Sequence, residues 1–132
     1  MASIFTKIIN GEIPSYKVAE SEHFYAFLDI NPNAVGHTLC VPKKEIDKVF
    51  DLSEDEYVEL MKFSRKVALA VEKVIPCLRV GMSVVGLEVP HVHVHIIPLH
   101  TVNDITFLSK VTLSTNEFAE TANKISKAYY SL

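Results

Sequence analysis

The amino-acid sequence predicts an α+β fold: a five-stranded antiparallel sheet with one long helix and a C-terminal helix packed on it. Two observations carry that expectation. Five short extended runs follow one another without the regular strand–helix alternation of a parallel sheet. In addition, two Ser-x-x-Glu capping boxes each precede a stretch of three-four apolar spacing, the mark of an amphipathic helix.

Along the chain, residues 4–10 predict a helical turn that ends at Asn10-Gly11, a pair that accepts positive φ at little cost. Residues 16–19, 24–30 and 37–42 read as three strands, the last two separated by a loop at Asn31-Pro32-Asn33, where Pro32 biases Asn31 away from the α region. Ser53-Glu54-Asp55-Glu56 starts the long helix, because the Ser53 hydroxyl and Glu56 carboxylate satisfy amides that the first turn leaves unpaired. Its expected buried stripe is Tyr57, Leu60, Met61, Ser64, Val67, Ala68, Val71, Val74 and Ile75, and Pro76 stops it. A hairpin of strands at 79–85 and 89–99 follows, joined at Gly86-Leu87-Glu88. Ser114-Thr115-Asn116-Glu117 then opens a second helix with Phe118, Ala122, Ile125, Tyr129 and Leu132 on its inner face.

A length of 132 residues with 48% hydrophobic content fits one domain, residues 1–132, burying roughly two thirds of its unfolded surface. No run approaches the ~20 apolar residues that span a bilayer, and the N-terminus lacks the pattern of a secretion signal, so a cytoplasmic location is expected. Cys40 and Cys77 read as reduced thiols. The net charge of −3, without a dense Lys/Arg tract, excludes a basic field for nucleic acid, so any phosphate ligand must be held by local groups.

The segment that carries chemistry is His91-Val92-His93-Val94-His95-Ile96-Ile97. On a strand, alternate side chains share a face, so three imidazoles look one way while Val92, Val94 and Ile96 enter the core. Crowding the rings disfavours their joint protonation and keeps at least one neutral near pH 7. Two chemistries fit such a face. In one, a neutral imidazole attacks phosphorus and forms a nucleotidyl-histidine that water resolves; in the other, the rings ligate Zn²⁺. Residue chemistry alone leaves both open. His23, His100, Lys43 and Lys44 read as solvated groups.

The pattern His-φ-His-φ-His-φ-φ resembles the signature of the histidine-triad (HIT) family. Three further segments are similar to it in order and spacing: residues 4–14 (IFTKIINGEIP), residues 27–32 (FLDINP) and residues 36–43 (GHTLCVPK). The resemblance is weakest beyond Leu99. It implies a HIT-like fold, a homodimer, and a hydrolase or nucleotidyl transferase that cleaves at the α-phosphate of purine nucleotide conjugates. Phosphoramidates, acyl-phosphates and dinucleoside polyphosphates belong to that class, and a nucleoside monophosphate is released without a cofactor. By the same resemblance His93 is the nucleophile, His95 lies by the scissile bond, His91 supports the nucleophile, and His37 hydrogen-bonds within the cluster. Asp29 is expected to accept from the ribose hydroxyls, and Phe5, Ile13, Phe27 and Ile30 to form the base slot.

Three departures from the family pattern bear on function. Leu87 stands where many members have Gln, Arg79 to Val85 replaces an Asn- and Gly-rich stretch, and Ser3-Ile4-Phe5-Thr6 stands where some bacterial relatives have zinc-binding Cys-x-x-Cys. The last predicts no structural zinc. Leu87 keeps a low-activity nucleotide-binding or sensor module as one alternative function, and a zinc-dependent hydrolase using the histidine face is another.

Overall fold

The fold is known from a computed structural model that describes residues 2–132. Strands β1 (Lys17–Glu20), β2 (Phe24–Leu28), β3 (Thr38–Pro42), β4 (Arg79–Ser83) and β5 (Val94–Leu99) form one sheet in the order β1-β2-β3-β5-β4, with every neighbouring pair antiparallel. The expected five-stranded antiparallel sheet is therefore present. Its last strand slots between β3 and β4, which places the histidine segment at the middle of the sheet.

Both capping boxes are formed. Ser53 Oγ accepts from the Glu56 amide and Glu56 returns to the Ser53 amide at the start of α2 (Glu54–Val74), and Ser114 and Glu117 do the same for α3 (Thr115–Tyr130). A third, short helix, α1 (Ile4–Ile9), is capped by Ser3, and Gly11 at φ +80° turns the chain out of it.

Side chains alternate between the two faces of each strand, and both faces are covered. On one, Val18, Ala26, Leu28, Cys40, Val94 and Ile96 pack under Leu60, Phe63, Val67 and Val71 of α2 and Phe118, Ala122, Ile125 and Tyr129 of α3. Burying each of the larger side chains contributes about 1.5–3 kcal/mol. On the other, Tyr25, Phe27, Leu39 and Val41 lie beneath Phe5 of α1 and Val89. The two long helices share one side of the sheet, and α1 sits on the opposite face, which also presents apolar side chains that need cover.

Other boundaries move for identifiable reasons. The buried stripe of α2 is rotated to include Phe63 and Ala70 and leaves Tyr57 exposed, since the helix must meet α3 as well as the sheet. Phe63 stacks on Phe24 with ring centroids 5.5 Å apart and meets Tyr129 at 5.9 Å. Leu132 lies past the end of α3 and is exposed. The expected long strand at 89–99 shortens to β5, and the connection from β4 spans residues 84–93. Pro90 has no amide to offer a neighbouring strand, and the Val92 amide bonds to the Ile46 carbonyl instead of to β3. Val92 still enters the helix-covered core, while the His91 and His93 rings meet Phe5 on the other face. Among the described residues, no helix is long and apolar enough to cross a membrane.

Candidate functional site

The four clustered histidines reach one place from two strands. His95 lies in β5 opposite Leu39 of β3 and Ser83 of β4, and His91 and His93 precede it on the same face. His37 stands just before β3, after Gly36, whose φ of +95° strains any other residue and where a Cβ would sit only 3.0 Å from Ile75 Cγ1. Ring centroids are 4.9 Å apart for His93–His95 and 5.2 Å for His37–His95. All four are nearly buried.

Each ring's tautomer follows from its partners, because a backbone carbonyl accepts only and a backbone amide donates only. The Asn33 amide donates to His37 Nδ1 at 2.9 Å, so the neutral His37 ring carries its proton on Nε2. That proton is given to His95 Nδ1, 2.9 Å away, which leaves the His95 proton on Nε2. His93 Nδ1 donates to the His91 carbonyl at 2.7 Å, so in the neutral ring Nε2 holds the lone pair. His91 donates from Nε2 to the Pro42 carbonyl at 2.8 Å and accepts at Nδ1 from Ser3 Oγ at 2.7 Å. The His91 carbonyl bonds a ring rather than a neighbouring strand, and the same contact orients His93.

His93 and His95 line an open cleft of about 380 Å³, together with Asp29, Asn31, residues 85–88, Phe107 and Lys110. Nucleophilic lone pair and ring N–H therefore share a cleft with a carboxylate. Asp29 follows β2, its amide bonds the His37 carbonyl at 3.0 Å, and its Oδ1 accepts from the Asn31 amide at 2.9 Å. Burial pushes the Asp29 carboxyl up, against the opposing pull of the Asn31 amide and Lys110.

The remaining expected base-slot residues are dispersed. Phe5 meets His93 edge-on at 4.9 Å and Phe27 at 5.5 Å, and both phenylalanines are buried behind the cleft rather than lining it. Ile13 is half-buried, and Ile30 is 73% exposed beside the Asn31 wall. Two residues of the cleft escaped sequence reading. Phe107, at φ 65° in a region non-glycine residues rarely visit, sets its ring 4.8 Å from His95. Lys110 places its ammonium 5.2 Å from the Phe107 ring centroid. Neither belongs to a periodic run, and the segment that carries them resembles the family least.

Asp29, His37 and His95 bring one donor atom each within 4.8 Å of one another, the spacing of a metal site. The hydrogen bonds do not fit a cation there. With Nδ1 of His37 taken by the Asn33 amide, its Nε2 carries a proton, and that proton occupies the His95 lone pair. The His91, His93 and His95 face fits zinc no better: both His91 nitrogens and Nδ1 of His93 are committed to protein partners.

Burial, reinforced by neighbouring positive charge, pushes His37 down to about 3 and His95 to about 4. His91 is also lowered by burial, against the opposing effect of the Pro42 carbonyl. An unfolded chain takes up protons at His37 and His95 below about 6.5, whereas the folded chain refuses them until far lower pH. The unfolded form then binds more protons, so stability falls as pH drops below 6.5, by about 1.4 kcal/mol per pH unit for each histidine. Asp29, with its raised carboxyl, acts in the opposite sense at lower pH. The melting temperature is expected to be level from pH 8 to 7 and to fall between pH 6.5 and 5; a flat profile across that window would contradict the neutral cluster.

A family model described as the HIT domain matches residues 10–102. The chain is 46% identical over 99 residues to an uncharacterised HIT-like protein of Methanocaldococcus jannaschii, a match covering 72% of this chain and 77% of that protein. It is 40% identical over 98 residues to the adenosine 5′-monophosphoramidase HNT1 of Saccharomyces cerevisiae, covering 74% of this chain and 62% of that protein. Among solved structures, a HIT-like protein involved in cell-cycle regulation from Bartonella henselae matches with a TM-score of 0.83 at 34% identity, over 96% of this chain and 95% of that one. A hypothetical histidine triad nucleotide-binding protein from Sulfolobus tokodaii also gives 0.83, at 30% identity over 97% and 92% of the two chains. With the family model spanning most of the chain and the triad histidines gathered at one cleft, the chain belongs to the histidine-triad (HIT) family.

Proposed function

We propose that this chain is a nucleotide hydrolase that cleaves purine nucleotide conjugates at the α-phosphorus through a covalent intermediate on His93. The observation that carries the reading is the Nε2 of His93, the bare nitrogen of its neutral tautomer, in a cleft shared with the Nε2–H of His95 and the carboxylate of Asp29. The relative that bears the name adenosine 5′-monophosphoramidase supports the substrate class.

In this mechanism the Nε2 lone pair of His93 forms a bond to phosphorus while the bond to the leaving group breaks, and its electron pair departs with that group. Positive charge develops on the His93 ring, where the Nδ1–H to the His91 carbonyl stabilises it. The Nε2–H of His95 hydrogen-bonds to the leaving atom or a phosphoryl oxygen as negative charge grows there. Water then attacks phosphorus, the pair returns to His93 Nε2, the water's proton passes to solvent, and a nucleoside monophosphate is released. Asp29 accepts from the ribose hydroxyls, and Ile30 offers the base an exposed apolar side chain, with Ile13 half-buried and Phe5 and Phe27 packed behind the cleft. Transfer to an acceptor other than water uses the same first step. We extend the reading to a cytoplasmic homodimer.

Mass spectrometry after millisecond mixing with AMP phosphoramidate, an acyl-AMP and a dinucleoside polyphosphate tests it. The expected result is an added nucleotidyl mass on the peptide that contains His93. Rapid turnover with no adduct at any mixing time, or an adduct elsewhere, would overturn the mechanism. Leu87, 89% exposed on the cleft wall with no hydrogen-bonding group, favours one second reading: a sensor that binds nucleotide with little turnover. AMP binding without release of AMP from any of the three conjugates would select it.

A further inference from the structure

The cleft poses an electrostatic problem for the proposed substrate. An α-phosphate brings at least one negative charge, and the cleft already carries the carboxylates of Asp29 and Glu88, on a chain of net charge −3. Burial keeps the His95 ring neutral, and the Leu87 side chain offers no donor. Among the described residues that line it, one is a cation: Lys110, contributed by the segment after the triad.

The Lys110 ammonium is held in place. It donates to the Asn31 carbonyl at 3.1 Å and to Asn33 Oδ1 at 2.7 Å, and it lies 5.2 Å from the Phe107 ring centroid. A lysine ammonium has three N–H groups, and these two contacts account for two. Next to it the Val111 amide bonds the Pro32 carbonyl at 3.0 Å, and Asn33 Nδ2 donates to the Asp104 carbonyl at 2.7 Å. The post-triad segment is thereby stitched to the 31–33 loop. Holding both partners in advance lowers the entropy cost that a free lysine incurs on meeting a ligand. Asn33 is also the residue whose amide orients His37, so the same loop carries the cation and sets the histidine tautomers.

We propose that Lys110 is the phosphate-binding cation of this cleft: its third N–H and its charge hold the α-phosphate of a purine nucleotide between Asp29 and His95. The assignment rests on the nucleotide reading above. It supplies from the C-terminal segment the donor that Leu87 lacks, and it puts the charge on the substrate's phosphate rather than on its nucleoside.

Calorimetric titration of the full chain with a nucleoside monophosphate and with the matching nucleoside isolates that charge. AMP with adenosine, or GMP with guanosine, is used according to which monophosphate the wild type binds more tightly. Lys110→Met is expected to weaken the monophosphate at least about tenfold and to leave the nucleoside within about twofold. Lys110→Arg is expected to retain most of the monophosphate affinity, and raised salt to weaken wild-type binding more than Lys110→Met binding. Lys110→Met also removes the bonds to the Asn31 carbonyl and Asn33 Oδ1, so its melting temperature is expected to fall by a few degrees, and a folded variant at the titration temperature is checked by the retained nucleoside affinity. Equal losses for monophosphate and nucleoside, or no loss for either, would overturn the assignment and leave the nucleotide reading standing. A wild type that binds neither monophosphate defeats the nucleotide reading itself and the assignment with it.

Discussion

Replacing His93 with alanine is expected to lower kcat by about 10³-fold or more while leaving nucleoside monophosphate affinity within about tenfold. The asymmetry comes from what the ring does. Its Nε2 is the atom expected to form the bond to phosphorus, and no neighbour can take over: His95 offers a proton on the nitrogen left free, and both His91 nitrogens are bonded to Ser3 and Pro42. Ground-state binding, by contrast, draws on Asp29, Lys110 and the base surroundings, which the substitution leaves in place. The variant does release the His91 carbonyl from its 2.7 Å bond, at a cost of about 1–3 kcal/mol if water does not replace it. Steady-state kinetics beside calorimetric binding separates these effects. Near-normal turnover by His93→Ala would rule out covalent catalysis at this residue.

The second large effect is expected from His37→Leu, a residue that the proposed chemistry never bonds to substrate. His37 is 1% exposed and bridges the Asn33 amide to His95 Nδ1. Leucine fills similar space but leaves a buried donor and a buried acceptor without partners, costing about 2–4 kcal/mol in total. His95 also loses the contact that selects its Nε2–H tautomer, so kcat is expected to fall about 10- to 100-fold with a smaller change in KM. A merely structural role moves the denaturation midpoint alone. Loss of stability with kcat unchanged would therefore refute the tautomer argument, and unchanged stability would refute the account of His37 burial.

Much of the framework was legible because it rests on local rules. Ser53 with Glu56, and Ser114 with Glu117, announce helix starts within four residues, and the structure forms both boxes. The alternation of His91, His93 and His95 with Val92, Val94 and Ile96 assigns two faces without any knowledge of what covers them. Where the reading missed, the deciding partner was distant. Residues 91–93 look like part of a strand until their backbone turns out to bond to Ile46 and to an imidazole, and the stripe of α2 shifts because Phe63 must meet both Phe24 and Tyr129. For Phe107 and Lys110 no local signal existed.

The sequence by itself determined which side chains share a face and where helices begin, because spacing along a strand or helix and capping within one turn are properties of neighbouring residues. Only the tertiary structure decided which nitrogens of His91 and His95 carry the proton and which cation meets the cleft. Those depend on single hydrogen bonds between groups far apart along the chain: His37 to His95, His91 to the Pro42 carbonyl, Lys110 to Asn31 and Asn33. His93 and His37 are oriented by backbone groups two and four residues away, but the proton's position on His91 and His95 is set by whichever partner folding brings from a distant segment.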